Sequence, residues 1–384
     1  FYALFGSAPI VAMLVNTLFG AACALSAYEL AHASGWGRRA SIASGMLVAI
    51  HPALVPYTLA IMTEGVTASL LMVAAALAAH HRQRKKNTTL VLLGIALGIA
   101  TLVRPQSILL APIFGWIASR GNVAVRARTA AIALVIAVAC CLPWTARNCV
   151  RMHRCALVSV NAGWNLLIGE STETGAWHPV DVPGECKTVW DEAAKDTCFE
   201  RAARHEIAQN PIDFVSRMPG KLAVTFDYFG GAPWYLHESN ASAFSDRAKE
   251  ELGIVETIFS RIVLAVALFG FAWLEKKNAK ASAAIALAGF PFAFLRHGWI
   301  GYAALAVAIL ASKLARKNPA LATTAWTLVA TAVTHAVFFG AGRYGLVSSP
   351  FSVVVCASAG ARMLRGNPRP SLSMESFKNS FKRS

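Results

Sequence analysis

Acidic residues are missing from most of this chain. Only 15% of its 384 residues are charged, and sixteen of the twenty Asp and Glu lie between Arg147 and Glu256. Glu29, Glu64, Glu275 and Glu375 stand alone outside that stretch. A soluble domain carries roughly 25% charged residues. The deficit, together with repeated apolar runs, excludes an ordinary soluble fold and indicates a polytopic helical membrane protein. Also absent are a Walker loop, a nucleotide-binding glycine fingerprint and a metal spacing such as Cys-x-x-Cys, and Gly340-x-Gly342 opens no strand-helix pattern. These absences argue against nucleotide-driven chemistry. No internal repeat is visible, which argues against a transporter or flippase. No signal-peptide pattern precedes Phe1, which leads directly into an apolar run. The chain is therefore expected to lack its true N-terminus.

What is present is apolar and basic: 56% hydrophobic residues, mean hydropathy +0.49 and a net charge of +16. The Lys and Arg cluster in short connections between apolar runs, as in His80-His81-Arg82-Gln83-Arg84-Lys85-Lys86. That is the positive-inside pattern, not a nucleic-acid-binding stripe. The apolar runs cover residues 8–31, 40–57, 65–79, 90–103, 108–118, 129–141, 258–274, 281–295, 299–311, 320–339 and 346–361. Eleven spans follow, with every second connection basic; one upstream span would give twelve in a complete chain. The fold expected is all-α: an N-terminal bundle (1–146), a large extracytoplasmic loop domain (147–257), a C-terminal bundle (258–362) and a basic cytoplasmic tail (363–384). The location is a cell inner (plasma) membrane. Within the loop, residues 191–210 have helical spacing and Pro211 opens another helix. Residues 221–228 read as a segment at the membrane surface. On an oxidising face Cys186 can pair with Cys198, and Cys149 with Cys155; Cys23, Cys140, Cys141 and Cys356 read as packing residues.

Several polar residues fall where the topology makes them costly. Glu64 is the one acid among the outer turns. It reads either as a functional carboxylate or as a cap on the helix that opens at Thr63. Arg104, Arg296 and Arg343 lie in three outer turns against the positive-inside bias, and guanidinium groups hold phosphate bidentately. His297 and Tyr344 add donors. A lipid phosphate or pyrophosphate fits such a pocket; the alternative is that each Arg snorkels to headgroups. Arg147 and Asn148 follow Trp144 and read as interfacial anchors. Asp227, Tyr228, Trp234, Tyr235, His237 and Glu238 form a polar and aromatic cluster suited to a sugar or acceptor, or else to packing on the membrane.

Four segments carry a resemblance. They are His51-Pro52-Ala53-Leu54-Val55-Pro56-Tyr57 leading to Thr63-Glu64, then Leu102-Val103-Arg104-Pro105, then Pro143-Trp144-Thr145-Ala146-Arg147-Asn148 with Asn161-Ala162-Gly163-Trp164-Asn165-Leu166-Leu167-Ile168-Gly169, and Arg343-Tyr344 with Pro350. In this order they resemble the GT-C superfold of membrane glycosyltransferases, and within it the protein O-mannosyltransferase and lipid A aminoarabinose transferase relatives. Residues 345–349 depart from the usual run between Tyr344 and Pro350. The resemblance implies inverting transfer of a sugar from a polyprenyl-phosphate donor to an extracytoplasmic lipid, glycan or protein acceptor. It also implies a catalytic Asp in a first outer loop, which would lie upstream of Phe1. The roles expected here are Arg104, Arg296, His297, Arg343 and Tyr344 on the donor phosphate. Asn165, Asp227, Tyr228, His237 and Glu238 would contact substrate. Glu64 is the candidate catalytic residue, with a divalent cation as its one candidate cofactor. An O-antigen ligase or polymerase acting on a pyrophosphate-linked glycan is the alternative.

Overall fold

A computed structural model describes residues 5–227, 230–295 and 297–364. Arg296, Tyr228 and the basic tail from residue 365 lie outside the described residues. The described chain is helical, with one isolated bridge between Ala176 and Gly340.

The N-terminal part comprises α1 (Pro9–Ala33), α2 (Arg38–Ala49), α3 (Leu54–Leu59), α4 (Thr63–Arg84), α5 (Asn87–Val103), a 3-10 turn at Pro105–Leu109, α6 (Leu110–Ile117) and α7 (Val123–Arg151). The segment that follows carries α8 (Ala162–Ser171), α9 (Glu192–Gln209), α10 (Pro211–Ser216), α11 (Met218–Asp227) and α12 (Gly231–Ser239). The C-terminal part comprises α13 (Asp246–Glu275), α14 (Lys280–Gly289), α15 (Trp299–Ala311), α16 (Pro319–Val337), the single turn α17 (Gly342–Gly345) and α18 (Ser349–Met363). Five of these, α1, α4, α7, α13 and α16, are long and apolar enough to cross a membrane. The protein is thus a multi-pass membrane protein. The other six apolar runs carry shorter helices.

Helix α4 is the hub. It packs against α1, α5, α6, α16 and α18. Ala68, Ala74, Ala75, Ala78 and Ala79 are fully buried along it. Small residues let backbones approach where no hydrophobic effect drives helices together. The same device joins α5 to α7: a Cβ on Gly94 would fall 2.6 Å from Cβ of Ile136, and one on Gly98 2.6 Å from Cβ of Cys140. By contrast α1 and α7 are mostly exposed, with Leu14, Leu18, Val135 and Leu142 facing outward, as lipid-facing surfaces do.

Local chemistry sets the helix ends. Asn122, Ser245 and Asn318 each accept a backbone N–H three residues on and so cap α7, α13 and α16. Several expectations are corrected here. The run 40–57 is not one helix: Pro52 lacks an amide donor, and Nδ1 of His51 accepts the N–H groups of Ala53 and Leu54, so α2 stops and α3 begins. The chain does not leave the bundle at 147: α7 continues to Arg151. There Arg147 lies 4.7 Å from the Trp144 ring centroid, and Asn148 donates to the carbonyls of Ala156 and Val158. At the other end α13 begins at Asp246, so positions 146/147 and 257/258 both lie inside long helices. Lys221 does not rest on a membrane surface. It is fully buried, donates to the Val337 carbonyl at 3.3 Å and sits 4.4 Å from the Phe214 ring.

Both expected cysteine pairs form disulfides, Cys149 with Cys155 and Cys186 with Cys198. The second joins α9 to the segment that follows α8, inside a small core of Leu167, Phe199 and Ala203. Asp196 of α9 reaches across to accept the Trp164 N–H in the first turn of α8 at 3.0 Å. Burial pushes the Asp196 carboxyl pKa up, opposed by these backbone donors and by Arg154. The loop segment docks on the C-terminal part at glycines. Gly340 N–H donates to Gly175 O at 2.7 Å, and a Cβ on Gly340 would fall 2.2 Å from the Lys221 carbonyl oxygen. Gly175 has φ +83, and a Cβ there would fall 2.4 Å from Lys221 N. No other residue type fits either position without moving the backbone.

Candidate active site

Three chain turns meet at Glu64. The carboxylate lies in the first turn of α4 and is buried. Its helix is preceded by Met62, and Glu64 makes no side-chain capping bond, so the capping alternative is set aside. Arg104 arrives because α5 runs antiparallel to α4 and stops at Pro105. A residue before proline is driven out of the helical region, and Arg104 is extended at φ −141, ψ 110. Its Nη1 lies 2.7 Å from Glu64 Oε1. Arg343 arrives from α17, with Nε 3.4 Å from the same oxygen. Glu64 Oε2 is buried without a hydrogen-bond partner among the described residues.

Tyrosines frame the two guanidinium groups. Arg343 donates from Nη1 to the Tyr235 hydroxyl at 2.5 Å and from Nη2 to the Tyr344 hydroxyl at 3.1 Å. The Tyr344 ring centroid lies 4.7 Å from Arg104 Cζ and 5.0 Å from Arg343 Cζ, and the ring stacks on His335 at 4.2 Å. Burial pulls the Arg343 pKa down, but Tyr344, Glu64 and Tyr235 outweigh it and hold the group above its ordinary value. Both arginines line a cavity of about 720 Å³ that α8 roofs with Trp164 and Asn165 and that Trp177 and His335 also line. The docked, disulfide-bonded loop segment therefore places Asn165 on the wall of the cavity that the arginines also line. On the far side of Arg343 a small cavity contains Tyr57 and Glu256. Oε2 of Glu256 accepts the Gly230 N–H at 2.6 Å, and its Oε1 is buried without a partner among the described residues.

The structure thus brings together Glu64, Arg104, Arg343, Tyr344 and Asn165 of the expected set. It separates others. Asp227 sits in a second cluster, where it pairs with Arg261 at 3.5 Å and accepts the Trp299 N–H at 3.0 Å, fixing the start of α15. Burial pushes the Asp227 pKa up, and Arg261 opposes it. His297 belongs to that turn, with φ +71. His237 binds the Phe244 carbonyl and lies 3.4 Å from Asp246, and Glu238 is exposed beyond it. Arg296 and Tyr228 fall outside the described residues. Tyr235, His335 and Glu256 join the site without having been assigned to it. Tyr235 stood inside the polar and aromatic cluster; His335 lay within an apolar run.

The fit to a divalent cation is poor. Glu64 Oε1 is committed to two cations, and among the described residues no close group of metal-ligand type includes Glu64. Among the described residues, Glu185, Cys186 and Cys198 form the one close group of metal-ligand type, and its two sulfurs are bonded to each other.

A buried carboxylate paired with two arginines beside a large cavity, near one end of a multi-pass helical bundle, is the arrangement the fold builds here. Residues 1–146, which supply Glu64 and Arg104, match the model of the family described as dolichyl-phosphate-mannose-protein mannosyltransferase. Over those residues the match bears out the resemblance to GT-C membrane glycosyltransferases of the mannosyltransferase type. No curated protein and no solved structure matches the chain.

Proposed function

We propose that the protein moves a sugar from a polyprenyl-phosphate donor to an acceptor outside the cytoplasm, with inversion at the sugar carbon. The observation that carries the reading is the convergence of Arg104 and Arg343 on Glu64 beside the 720 Å³ cavity. In such a transfer an acceptor oxygen attacks C1 of the sugar while the bond from C1 to the phosphate oxygen breaks. The acceptor proton leaves to a base, and negative charge accumulates on the departing lipid phosphate. Guanidinium groups fixed beforehand at that phosphate stabilise the charge without reorganising during reaction. Glu64 acts as a positioning residue: it holds the two arginines in register. Tyr344 and His335 form a rigid wall behind them, and Asn165 faces the sugar or acceptor from the loop segment. Topologically, the loop segment, Glu64, Arg104 and Arg343 face the extracytoplasmic side of an inner (plasma) membrane, with the C-terminus in the cytoplasm.

The test is transfer by the native protein in liposomes supplied with a polyprenyl-monophosphate sugar. Arg343→Ala is expected to lower transfer by at least a hundredfold while the protein stays monodisperse. Undiminished transfer would remove Arg343 from the site. Activity on a pyrophosphate-linked glycan, with none on the monophosphate donor, would favour the ligase reading.

A further inference from the structure

A second polar cavity lies at the opposite end of the bundle. Arg82 is eighteen residues beyond Glu64 on α4, about 27 Å along the helix at 1.5 Å per residue. That is close to the thickness of the hydrocarbon core, roughly 30 Å. The cavity measures about 960 Å³ and is lined by five cationic residues, Arg82, Arg126, Lys313, Arg316 and Lys317, and by no acid. Two of the five are anchored in place. Arg82 donates to the carbonyls of Ile117 and Ser119 at 2.9 and 2.6 Å, and Arg126 lies 4.4 Å over the Trp116 ring and donates to the Trp116 carbonyl at 3.4 Å. The other three sit exposed on the connection between α15 and α16, where no carboxylate pairs with them among the described residues. Pro112, Ile113, Leu310 and Trp326 complete an apolar wall below the charges.

We propose that this cavity binds the phosphate headgroup of an anionic lipid from the leaflet opposite the candidate active site. The positive-inside bias makes that the cytoplasmic leaflet. Basic connections are expected on that face whatever they bind. What points to a ligand is the shape: five cations converge on one cavity with an apolar wall, as basic pockets between membrane helices do for lipid headgroups. The rim of Lys313, Arg316 and Lys317 meets the phosphate, and the acyl chains lie along Ile113, Leu310 and Trp326. The lipid would tie α6 and α7 to the α15–α16 connection. The proposal does not depend on glycosyl transfer.

The test is native mass spectrometry of the full protein released from micelles containing phosphatidylglycerol or phosphatidylcholine. Phosphatidylglycerol is expected to be retained preferentially. Each cation removed is expected to weaken that retention roughly fivefold, from about 1 kcal/mol per charge near an anionic headgroup. The triple variant Lys313→Ala, Arg316→Ala, Lys317→Ala should therefore lose about a hundredfold and show no preference. Lys313→Arg with Lys317→Arg should keep the preference and serves as the folding control. Equal retention of both lipids, or a preference that survives the triple variant, would overturn the proposal. Displacement of phosphatidylglycerol by millimolar inorganic phosphate would overturn the lipid as source and leave a soluble phosphate as the ligand.

Discussion

Replacing Glu64 by Gln keeps the shape of the side chain and removes the charge that gathers Arg104 and Arg343. At separations of 2.7 and 3.4 Å, and with an effective dielectric of about 20, the two attractions are worth roughly 6 and 5 kcal/mol before desolvation and the repulsion between the arginines are subtracted. The carboxylate side chain is 2% exposed and the arginines 14% and 28%, so solvent screens the pairs little. Removing one partner of a buried ion pair costs about 3–5 kcal/mol, because the remaining charge stays buried. Two stranded guanidinium groups place Glu64→Gln in that range. Thermal unfolding in detergent should show a clearly lowered midpoint. A phosphate-headed lipid supplies the missing negative charge, so polyprenyl phosphate should raise the midpoint of the variant more than that of the unaltered protein. Transfer should fall even where the variant remains folded, because the arginines lose their register. Equal midpoints for the two proteins, or equal stabilisation of both by polyprenyl phosphate, would refute the view that Glu64 organises a phosphate site.

Three further outcomes follow from the same contacts. Tyr235→Phe removes the acceptor held by Arg343 at 2.5 Å; donor KM should rise several-fold, and the stability loss should stay below the roughly 1.5–3 kcal/mol typical of a hydrogen bond to a charged group, because Arg343 keeps Tyr344 and Glu64. Breaking the Cys186–Cys198 disulfide, by Cys186→Ser with Cys198→Ser, should cost about 2–3 kcal/mol for a loop of this length. It should also slow transfer, because the segment that carries Asn165 to the cavity loses a tether. Burial, with Arg217 adding to it, pushes the Lys221 pKa down from 10.5 to about 8. The unfolded chain then binds more protons between pH 8 and pH 10.5. The cost of burying the charge is fully present below pH 8 and is relieved as pH rises to 10.5, by an amount on the order of 2–3 kcal/mol. Subtracting the stability of Lys221→Met from that of the unaltered protein across this window isolates the effect; a flat difference would refute it.

Which turns lie at one end of the bundle was legible in the sequence, and their angle around it was not. Alternating basic connections indicated which turns share a face, so Glu64, Arg104 and Arg343 could be grouped before any contact was known. That Arg104 and Arg343 reach one carboxylate oxygen, while Asp227 pairs with Arg261 at another corner, depends on helix packing that periodicity does not encode. His335 illustrates the same gap: inside an apolar run it carried no signal of its own, and the turn at 340–345 brings Tyr344 onto its ring. Asp227 and His237 were read toward substrate because polar loop residues suggest binding. In the structure each bonds a backbone group, Asp227 the Trp299 N–H and His237 the Phe244 carbonyl, a common use of polar side chains that hold a loop together. Helix ends were more legible than span lengths. Pro105 stops α5, whereas α7 runs through Pro143 to Arg151 despite the loss of one backbone donor there.

The charge of the described cluster bears on which donor it suits. Arg104, Arg343 and Glu64 together carry one net positive charge. A sugar linked through a lipid monophosphate is a phosphodiester with one negative charge, so the loaded site is neutral, the least costly condition at the edge of a low-dielectric core. A sugar on a lipid pyrophosphate brings two negative charges and leaves the same cluster one short. After transfer the lipid phosphate becomes a monoester carrying about −1.5 to −2 at neutral pH, so product is over-charged for the site and its departure is favoured. On this reading Glu64 lowers the positive charge from two to one and so tunes the cluster to donor over product. Glu64→Gln reverses the preference: the variant should hold lipid monophosphate more tightly than donor and be inhibited by it at lower concentration. Inhibition of both proteins at the same product concentration would break the link between Glu64 and donor choice and leave it a purely structural ion pair.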